Sequence, residues 1–417
     1  MEKSGKFRLT SLERNWILYD VGNSAFVLMV ATLIPIFFNA LAEAGGLSSV
    51  EYLAYWGYAS SAVTVITAVL SPILGTVADT KGFKKPIFIL CVFVGIVGCC
   101  AMGAASAWLP FLVIFVIAKV GFSGSLVFYD SMLSDVTTPE RMDEVSSRGY
   151  AWGYIGSCVP FVVCLGLVLG AGSIGISQMT ALNLALLLTA AWWLLTTLPL
   201  LKSYKQLYYV EVEKHAVRQS FARIGHTLRH LPEDKQVFWF LLAFFCYIDG
   251  VYTIIDMATA YGTALDLDTT GLLLALLVTQ IVAFPSALVF GRLSNKYPSA
   301  KLIPVCIAAY AGIAVFAFFL TRQWQFWVLA VIVGMFQGGV QALSRSHFAK
   351  IIPPEKSGEY FGLFDICGKG ASFLGTMIVS VGSQLTGSAN VGVGSLIVLF
   401  IVGFVLFRVS CRQGETA

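Results

Sequence analysis

The chain has 417 residues, of which 57% are hydrophobic and only 12% are charged, and its formal net charge is +4. Soluble globular domains carry about 25% charged residues, so this composition excludes an ordinary soluble enzyme or binding module. The positive charge does not indicate nucleic-acid binding, because no basic patch is interleaved with aromatic residues in a soluble segment.

Twelve apolar segments follow in chain order, each long enough to cross a membrane as a helix, which takes about 20 residues. Strands of a membrane β-barrel would alternate apolar and polar residues, and these segments do not. Several connecting loops are short, so neighbouring helices are antiparallel. The predicted fold class is an all-α integral membrane protein with twelve transmembrane helices. The segments cover residues 16–41, 52–79, 86–106, 108–133, 150–171, 179–201, 236–262, 270–293, 301–320, 324–347, 359–384 and 389–408.

The two halves of the chain repeat one another. The loop Gly75–Lys85 after the second segment recurs as Gly291–Tyr297 after the eighth segment, 216 residues later. Six spans in each half keep the halves parallel, an architecture of secondary transporters whose site lies near the middle of the membrane. The sequence therefore predicts six-helix bundles over 1–201 and 236–417, joined by a cytoplasmic linker over 202–235.

The distribution of lysine and arginine predicts the orientation, because these residues collect in cytoplasmic loops. If the N-terminus is cytoplasmic, only Arg322 lies outside, and only Lys119 and Lys369 lie within spans. Both termini are therefore expected in the cytoplasm. The polar start lacks a small-residue cleavage site, so we expect the first apolar segment to be retained as a span.

The repeated loop resembles the signature loop of the major facilitator superfamily. That loop has a glycine, an aspartate four residues later and then basic residues, and the first copy matches in place and order. The second copy keeps the glycine but has asparagine in place of the aspartate. In the superfamily this loop helps to hold the outward-facing state, so the resemblance implies a conformational role. The residues concerned are Gly75, Asp79, Lys81, Lys84 and Lys85, with Gly291 and Asn295 in the second copy.

A narrower resemblance extends over nearly the whole chain. Glu13–Phe26 is similar to the opening of the vacuole-effluxer-like branch of the superfamily, and Gln341–Ser346 is a second fairly specific match. That branch contains fungal autophagy-related vacuolar amino-acid exporters and many bacterial proteins. Because this chain lacks long extra loops, it resembles a compact bacterial member in the plasma (inner) membrane. The resemblance implies efflux of a small molecule, with amino acids as one substrate class.

Charges inside a membrane cost at least about 2.5 kcal/mol each at mid-span, so they usually face a cavity or a partner. Lys119 and Asp249 lie near the middle of the fourth and seventh segments, which line the central cavity in the superfamily. They are the first candidates, either as contacts for the two ends of a zwitterion or as an occluded pair that fixes helix packing. In the eleventh segment, Lys369 follows Asp365 by four residues, so these two can pair on one helix face.

Arg345, near the cytoplasmic end of the tenth segment, is expected either to close an intracellular gate or to extend to the lipid headgroups. As a gate it needs an acid from the other half, for which Asp130 and Asp135 are candidates. Further polar side chains of the cavity helices complete the candidates for substrate binding or coupling. They are Asp20, Asn23, Tyr129, Asp130, Tyr252, Asp256, Gln337 and Gln341.

These features predict a secondary transporter working by alternating access, with the bilayer and a small-molecule substrate as partners and a monomer as the working unit. No cofactor, metal or catalytic set is expected, because the cysteines and histidines lack ligand spacing and no phosphate loop is present. A proton or sodium gradient is the candidate energy source, and Asp249 is the deepest acid. Proton-coupled antiport of an amino acid or related metabolite is favoured. A lipid or amphipathic-drug exporter, facilitated diffusion and a non-transporting sensor remain alternatives.

Overall fold

The protein is helical in this computed structural model, which describes residues 7–211, 225–227, 229–258, 261–262, 265 and 267–415. The side chains of 49, 50, 53, 269, 270, 273, 369–373 and 415 lie outside the description. In chain order the helices are α1 Ser11–Ala31, α2 Leu33–Ala44, α3 Ser49–Ala78, α4 Lys84–Met102, α5 Trp108–Ser131, α6 Leu133–Val136, α7 Met142–Leu169, α8 Gln178–Ser203, α9 Lys235–Asp256, α10 Thr269–Leu293, α11 Ser299–Phe318, α12 Gln323–Ile351, α13 Ser357–Thr386, α14 Ala389–Gly394 and α15 Ile397–Glu415.

Among the described residues, 11 stretches of helix are long and apolar enough to cross a membrane. Helices α1 and α2 together form the first stretch, and α14 and α15 form the last. Helix α13, with 30 residues, packs beside α3 and α9 and completes the set of twelve. The predicted all-α fold with twelve spans is therefore confirmed.

Helix α7 departs most from its predicted bounds, because it begins at Met142 and not at residue 150. Its first two turns are polar, and hydropathy therefore predicts a loop there. In the structure these polar side chains are buried against the second half of the chain, as the 4% exposed Asp143 and the fully buried Ser146 demonstrate. Hydropathy identifies segments that face lipid, but it does not identify polar helices that are buried between the two halves of a protein.

Helix α1 begins with a capping box that also fixes the start of α7. The hydroxyl of Thr10 accepts the N–H of Glu13, and the Glu13 carboxylate accepts the N–H of Thr10 in return. This reciprocal arrangement satisfies two otherwise unpaired donors. Arg141, just before α7, donates to both oxygens of Glu13 at 2.8 and 2.7 Å. The two helices are thereby held side by side at one end.

We use the name terminal face for the side of the bundle at which α1 begins at Ser11 and α15 ends at Glu415. The first half packs α1 against α7 and α8, and α4 against α5, while the second packs α9 against α15 and α10 against α12. The halves meet through two principal helix pairs, α3 with α13 and α7 with α10. These two seams position the two copies of the signature loop.

Candidate functional site

The signature loop closes the first seam at the terminal face. The Asp79 carboxylate, just beyond the end of α3, accepts the N–H groups of Gly358 at 2.7 Å and Glu359 at 2.8 Å. These donors belong to the first turn of α13, where a negative charge is favoured by the helix dipole. Burial raises the pKa of Asp79 to about 7, against the opposing effect of the Lys84 cation.

Gly75 allows the close approach that brings Asp79 to α13. A Cβ atom at Gly75 would lie 2.7 Å from the carbonyl carbon of Gly358, and one at Gly358 would lie 2.6 Å from the carbonyl oxygen of Gly75. Because both obstacles are backbone atoms, neither can rotate away. The two glycines therefore set the distance between α3 and α13.

The lysines of the signature loop have different environments. Lys84 is fully buried, and its Nζ lies 3.3 Å from Asp135 and 2.9 Å from the hydroxyl of Ser357. Lys81 is exposed and pairs with Glu211, which lies in the linker. Lys85 is half-buried at the start of α4. Lys84 alone among the three reaches the second half of the chain.

The second copy of the loop closes the second seam. Asn295 donates from Nδ2 to the Glu144 carboxylate of α7 at 2.6 Å, and a Cβ atom at Gly291 would lie 2.9 Å from the Cβ of Ser147. This geometry gives a physical reason for the departure from the signature. An aspartate at position 295 would face the Glu144 carboxylate and repel it, whereas the asparagine donates a hydrogen bond to it.

Arg345 of α12 is buried between the halves with 2% exposure. Its Nη1 donates to Asp130 of α5 at 2.9 Å, its Nε donates to the hydroxyl of Ser146 at 2.9 Å, and its Nη2 donates to the Ser146 carbonyl at 3.0 Å. The carboxylate of Asp20 in α1 lies 3.8 Å from the same Nη1. Of the two predicted partners, Asp130 pairs with Arg345 whereas Asp135 pairs with Lys84, so the guanidinium does not extend to the headgroups.

Aromatic rings enclose the guanidinium of Arg345. Its Cζ lies 4.3 Å from the ring centroid of Tyr150 and 4.7 Å from that of Trp16, distances at which a cation is attracted to a ring face. Trp16 stacks on Tyr129 at 4.3 Å, and the Tyr129 hydroxyl donates to Asp20 at 3.1 Å. Sequence reasoning missed Trp16 and Tyr150, because an isolated aromatic residue in an apolar segment carries no signal.

Charges of opposite sign from the two halves interact with each other. Asp256, at the end of α9, has an exposed side chain, and the half-buried Lys119 of α5 acts electrostatically on it. Tyr252, one turn before Asp256, is an electrostatic neighbour of Asp130 and Asp365 as well. This group of charges therefore brings together residues that the sequence places in three different spans, the fourth, the seventh and the eleventh.

Asp249 does not belong to this group of charges. It is fully buried, and both of its carboxylate oxygens lie 2.9 Å from the backbone nitrogen of Gly375 in α13, while Thr253 donates to Oδ1 at 3.2 Å. The predicted partner of Lys119 was Asp249, whereas in the structure Lys119 acts electrostatically on Asp256. Counting residues gives the depth of a side chain in the membrane, but the direction in which it points depends on the rotation of the helix.

The remaining candidates divide between packing and cavity positions. Asn23 donates to the carbonyl of Tyr19 in its own helix, and Gln341 accepts the Tyr154 hydroxyl at 2.6 Å across the second seam. Gln337 lines a cavity of about 50 Å³ inside the second half.

Helix α13 carries the last predicted pair, Asp365 and Lys369. Asp365 accepts the hydroxyl of Ser71 at 2.7 Å across the first seam. The side chain of Lys369 lies outside the described residues, so its pairing with Asp365 stays a prediction. Within the described part of the chain, no group of three His, Cys, Asp or Glu side chains could hold a metal ion.

Two parallel six-helix halves, a copy of the signature loop at each seam and charges that interact between the halves define a transporter of the major facilitator superfamily. Solved structures share this fold. The human organic anion transporter MFSD10 superposes with a TM-score of 0.71 at 15% identity, covering 95% of this chain and 99% of that one. The transporter FucP in the outward conformation gives a TM-score of 0.70 at 16% identity, with 96% and 97% covered.

The chain belongs to the family described as "Vacuole effluxer Atg22 like", which matches residues 11–142 and 134–416. The uncharacterized MFS-type transporter YxiO of Bacillus subtilis is 42% identical over 414 residues, which is 98% of this chain and 97% of YxiO. Autophagy-related protein 22 of Coccidioides immitis is 25% identical over 315 residues, which is 65% of this chain and 51% of the fungal protein. The chain thus spans about half the length of that fungal relative, and the predicted family is confirmed.

Proposed function

We propose that this chain exports a small zwitterion, such as an amino acid or a related polar metabolite, by proton-coupled antiport. The observation that carries the proposal is the placement of Lys119 and Asp256, which come from opposite halves and interact electrostatically. A cation on one half and an anion on the other suit a substrate with a carboxylate at one end and an ammonium at the other. Membership of the effluxer family supports export as the direction.

The closed terminal face corresponds in this proposal to the cytoplasmic side. Lysine and arginine residues concentrate there, as expected of cytoplasmic loops. With that side closed by Asp79 and Arg345, we expect a cleft between the halves to open away from the cytoplasm, in an outward-facing state of a bacterial inner-membrane protein. Rocking of one half against the other would then expose the cleft to the cytoplasm in turn.

The acids that face Arg345, Asp20 and Asp130, are the best candidates for proton coupling. Asp130 and Asp20 both face its guanidinium, so a proton taken up by either acid weakens the attraction that holds the halves together. Proton entry from outside then favours opening towards the cytoplasm, where the substrate is loaded. Asp249 remains a second coupling candidate because of its depth in the membrane.

The experiment is uptake of a labelled amino-acid mixture into proteoliposomes, with and without an imposed pH gradient. We expect the KM of Lys119→Gln and of Asp256→Asn to rise by about tenfold or more, because each removes a charged contact of about 1.5–3 kcal/mol. Lys202→Gln and Glu43→Gln remove the same charges at exposed positions, so they serve as matched controls. Wild-type flux equal to that of empty liposomes would refute the amino-acid assignment. The search would then turn to lipids and amphipathic drugs.

A further inference from the structure

The first residues of the linker between the halves lie along the signature loop. We use the name strap for Tyr204–Glu211. The N–H of Val210 donates to the carbonyl of Asp79 at 2.8 Å, and the carbonyl of Val210 accepts the N–H of Lys81 at 3.3 Å. With these bonds the strap forms a parallel β-bridge between Val210 and Thr80.

A side chain of the strap completes this attachment. The amide nitrogen of Gln206 donates to the carbonyl of Ala78 at 3.1 Å, and its amide oxygen accepts the N–H of Gly82 at 2.9 Å. Four backbone groups of the loop, spread from residue 78 to residue 82, therefore bond to the strap. Without the strap, these groups would face water and the loop would be more flexible. Asp79 would then spend less time in the position that binds α13, because ordering the loop costs conformational entropy.

Asp135 anchors the other end of the strap. Its Oδ1 accepts the N–H groups of Leu207 at 2.9 Å and Tyr208 at 3.0 Å, and its Oδ2 accepts the hydroxyl of Tyr204 at 2.6 Å. The same Oδ2 lies 3.3 Å from Nζ of Lys84, which donates to Ser357 at the start of α13. A continuous series of polar contacts therefore runs from the linker to the second half.

We propose that the strap holds the signature loop in the conformation that receives α13, and so gives the linker control over closure of the terminal face. Both groups that reach α13, the Asp79 carboxylate and the Lys84 ammonium, are positioned by atoms that the strap contacts. A displacement of the linker that withdraws Tyr204 and Val210 releases both groups together. The inference rests on the alternating access proposed above, of which it is a regulatory element.

The test compares two tyrosine hydroxyls on the same strap by hydrogen exchange of the purified full-length protein. Tyr204→Phe removes the donor to Asp135 and keeps the buried ring. Tyr208→Phe is the matched control, because it removes the same group from a residue that is 40% exposed. The readout is exchange of the Gly358 and Glu359 amides, which donate to Asp79 and lie outside the strap. We expect Tyr204→Phe to accelerate it by roughly three- to tenfold and Tyr208→Phe to leave it unchanged, since a hydrogen bond to a charged group is lost only in the first.

Gln206→Ala is the second variant, because it removes two bonds to the loop from a partly exposed position. It should accelerate exchange at the same two amides, and its effect should vanish in an Asp79→Asn background if the strap acts through Asp79. The proposal is overturned if either strap variant accelerates exchange at Lys81 and Gly82 alone. It is equally overturned if Tyr208→Phe matches Tyr204→Phe. Because exchange reports closure and not flux, an error in the substrate assignment would leave these outcomes unaltered.

Discussion

The Nη1 atom of Arg345 and the carboxylate of Asp130 lie 2.9 Å apart, although the two residues are separated by 215 positions and belong to different halves. Breaking a buried ion pair by removing one partner costs about 3–5 kcal/mol, because an uncompensated charge is left in a dry site. Such a pair adds little net stability to a fold, but it distinguishes strongly between states in which the partners meet and states in which they separate. We therefore expect Arg345 and Asp130 to hold one state of the transport cycle.

Arg345→Lys should abolish this hold while preserving the positive charge. Lysine cannot reproduce the three directed donors that reach Asp130, the Ser146 hydroxyl and the Ser146 carbonyl. We expect transport to fall by at least about tenfold, with faster hydrogen exchange along the first turns of α7. Arg408→Lys, an identical change at an exposed position of α15, is the control. Wild-type transport by Arg345→Lys would show that charge alone suffices at this position.

Gly75→Ala should prevent closure of the terminal face, because its Cβ would lie 2.7 Å from the carbonyl carbon of Gly358. The steric conflict exists only when α3 meets α13, so the open arrangement is unaffected. Gly57→Ala is a control in the same helix, since no atom lies within 4 Å of its added Cβ. Accessibility of residues in the cleft to a thiol reagent applied at the terminal face should rise for Gly75→Ala alone. Equal accessibility in both variants would contradict a role for Gly75 in closure.

The Asp79 carboxyl predicts a pH dependence of closure. Its pKa is about 7 when it is buried against α13, compared with the ordinary value of 3.8 expected when it faces water. The closed state therefore binds the proton more tightly, so closure is favoured below about pH 4 and weakens as the pH rises through about 7. Spin labels at the exposed positions Lys202 and Glu355, in a background without native cysteines, would report this change as a longer distance. Asp79→Asn should remove this component, and a curve identical to that of the wild type would refute the assignment.

Sequence reasoning reached the fold and the signature loop because both depend on strong local signals. Long apolar runs predict spans, and a glycine with an aspartate four residues later and basic residues after it is recognisable from sequence alone. Depth made Asp130 and Asp135 the two candidate partners of Arg345, and only the structure distinguishes Asp130 as the one that pairs with it. Depth also suggested Lys119 with Asp249, where the structure has Asp256 two turns further along α9. The rotation of each helix about its axis is set by side-chain packing, and counting residues along the chain does not predict it.

The strap was beyond sequence reasoning for a different reason. Tyr204–Glu211 has no helical or strand periodicity, and its bonds to the loop are made largely by backbone atoms. Backbone hydrogen bonds do not require particular residue types, so they produce no recognisable pattern in the sequence. The sequence makes Asp135 a candidate partner of Arg345, but nothing in it indicates that three of the four polar contacts of Asp135 come from the linker.

Asp20→Asn and Asp249→Asn should separate coupling from packing. Asp20 is held by Arg345 and the Tyr129 hydroxyl, so its amide variant keeps a hydrogen-bond acceptor and loses only the exchangeable charge. We expect Asp20→Asn to retain downhill exchange of substrate and to lose the stimulation by a pH gradient. Asp249 instead accepts the backbone N–H of Gly375 with both of its oxygens. Its amide variant should lower stability by about 1–3 kcal/mol, because the Nδ2 donor that replaces one oxygen would face that buried N–H.

Thermal unfolding of the two variants, measured beside both transport modes, provides the decision. Asp249→Asn should melt at a lower temperature and reduce transport with and without the gradient in the same proportion, as expected of a residue that secures α13 to α9. Gly375→Ala should reproduce that behaviour, since its Cβ would lie 2.6 Å from the Asp249 carboxylate. If Asp249→Asn loses only the stimulation by the gradient while Asp20→Asn keeps it, the coupling role belongs to Asp249, and the acids around Arg345 serve closure alone.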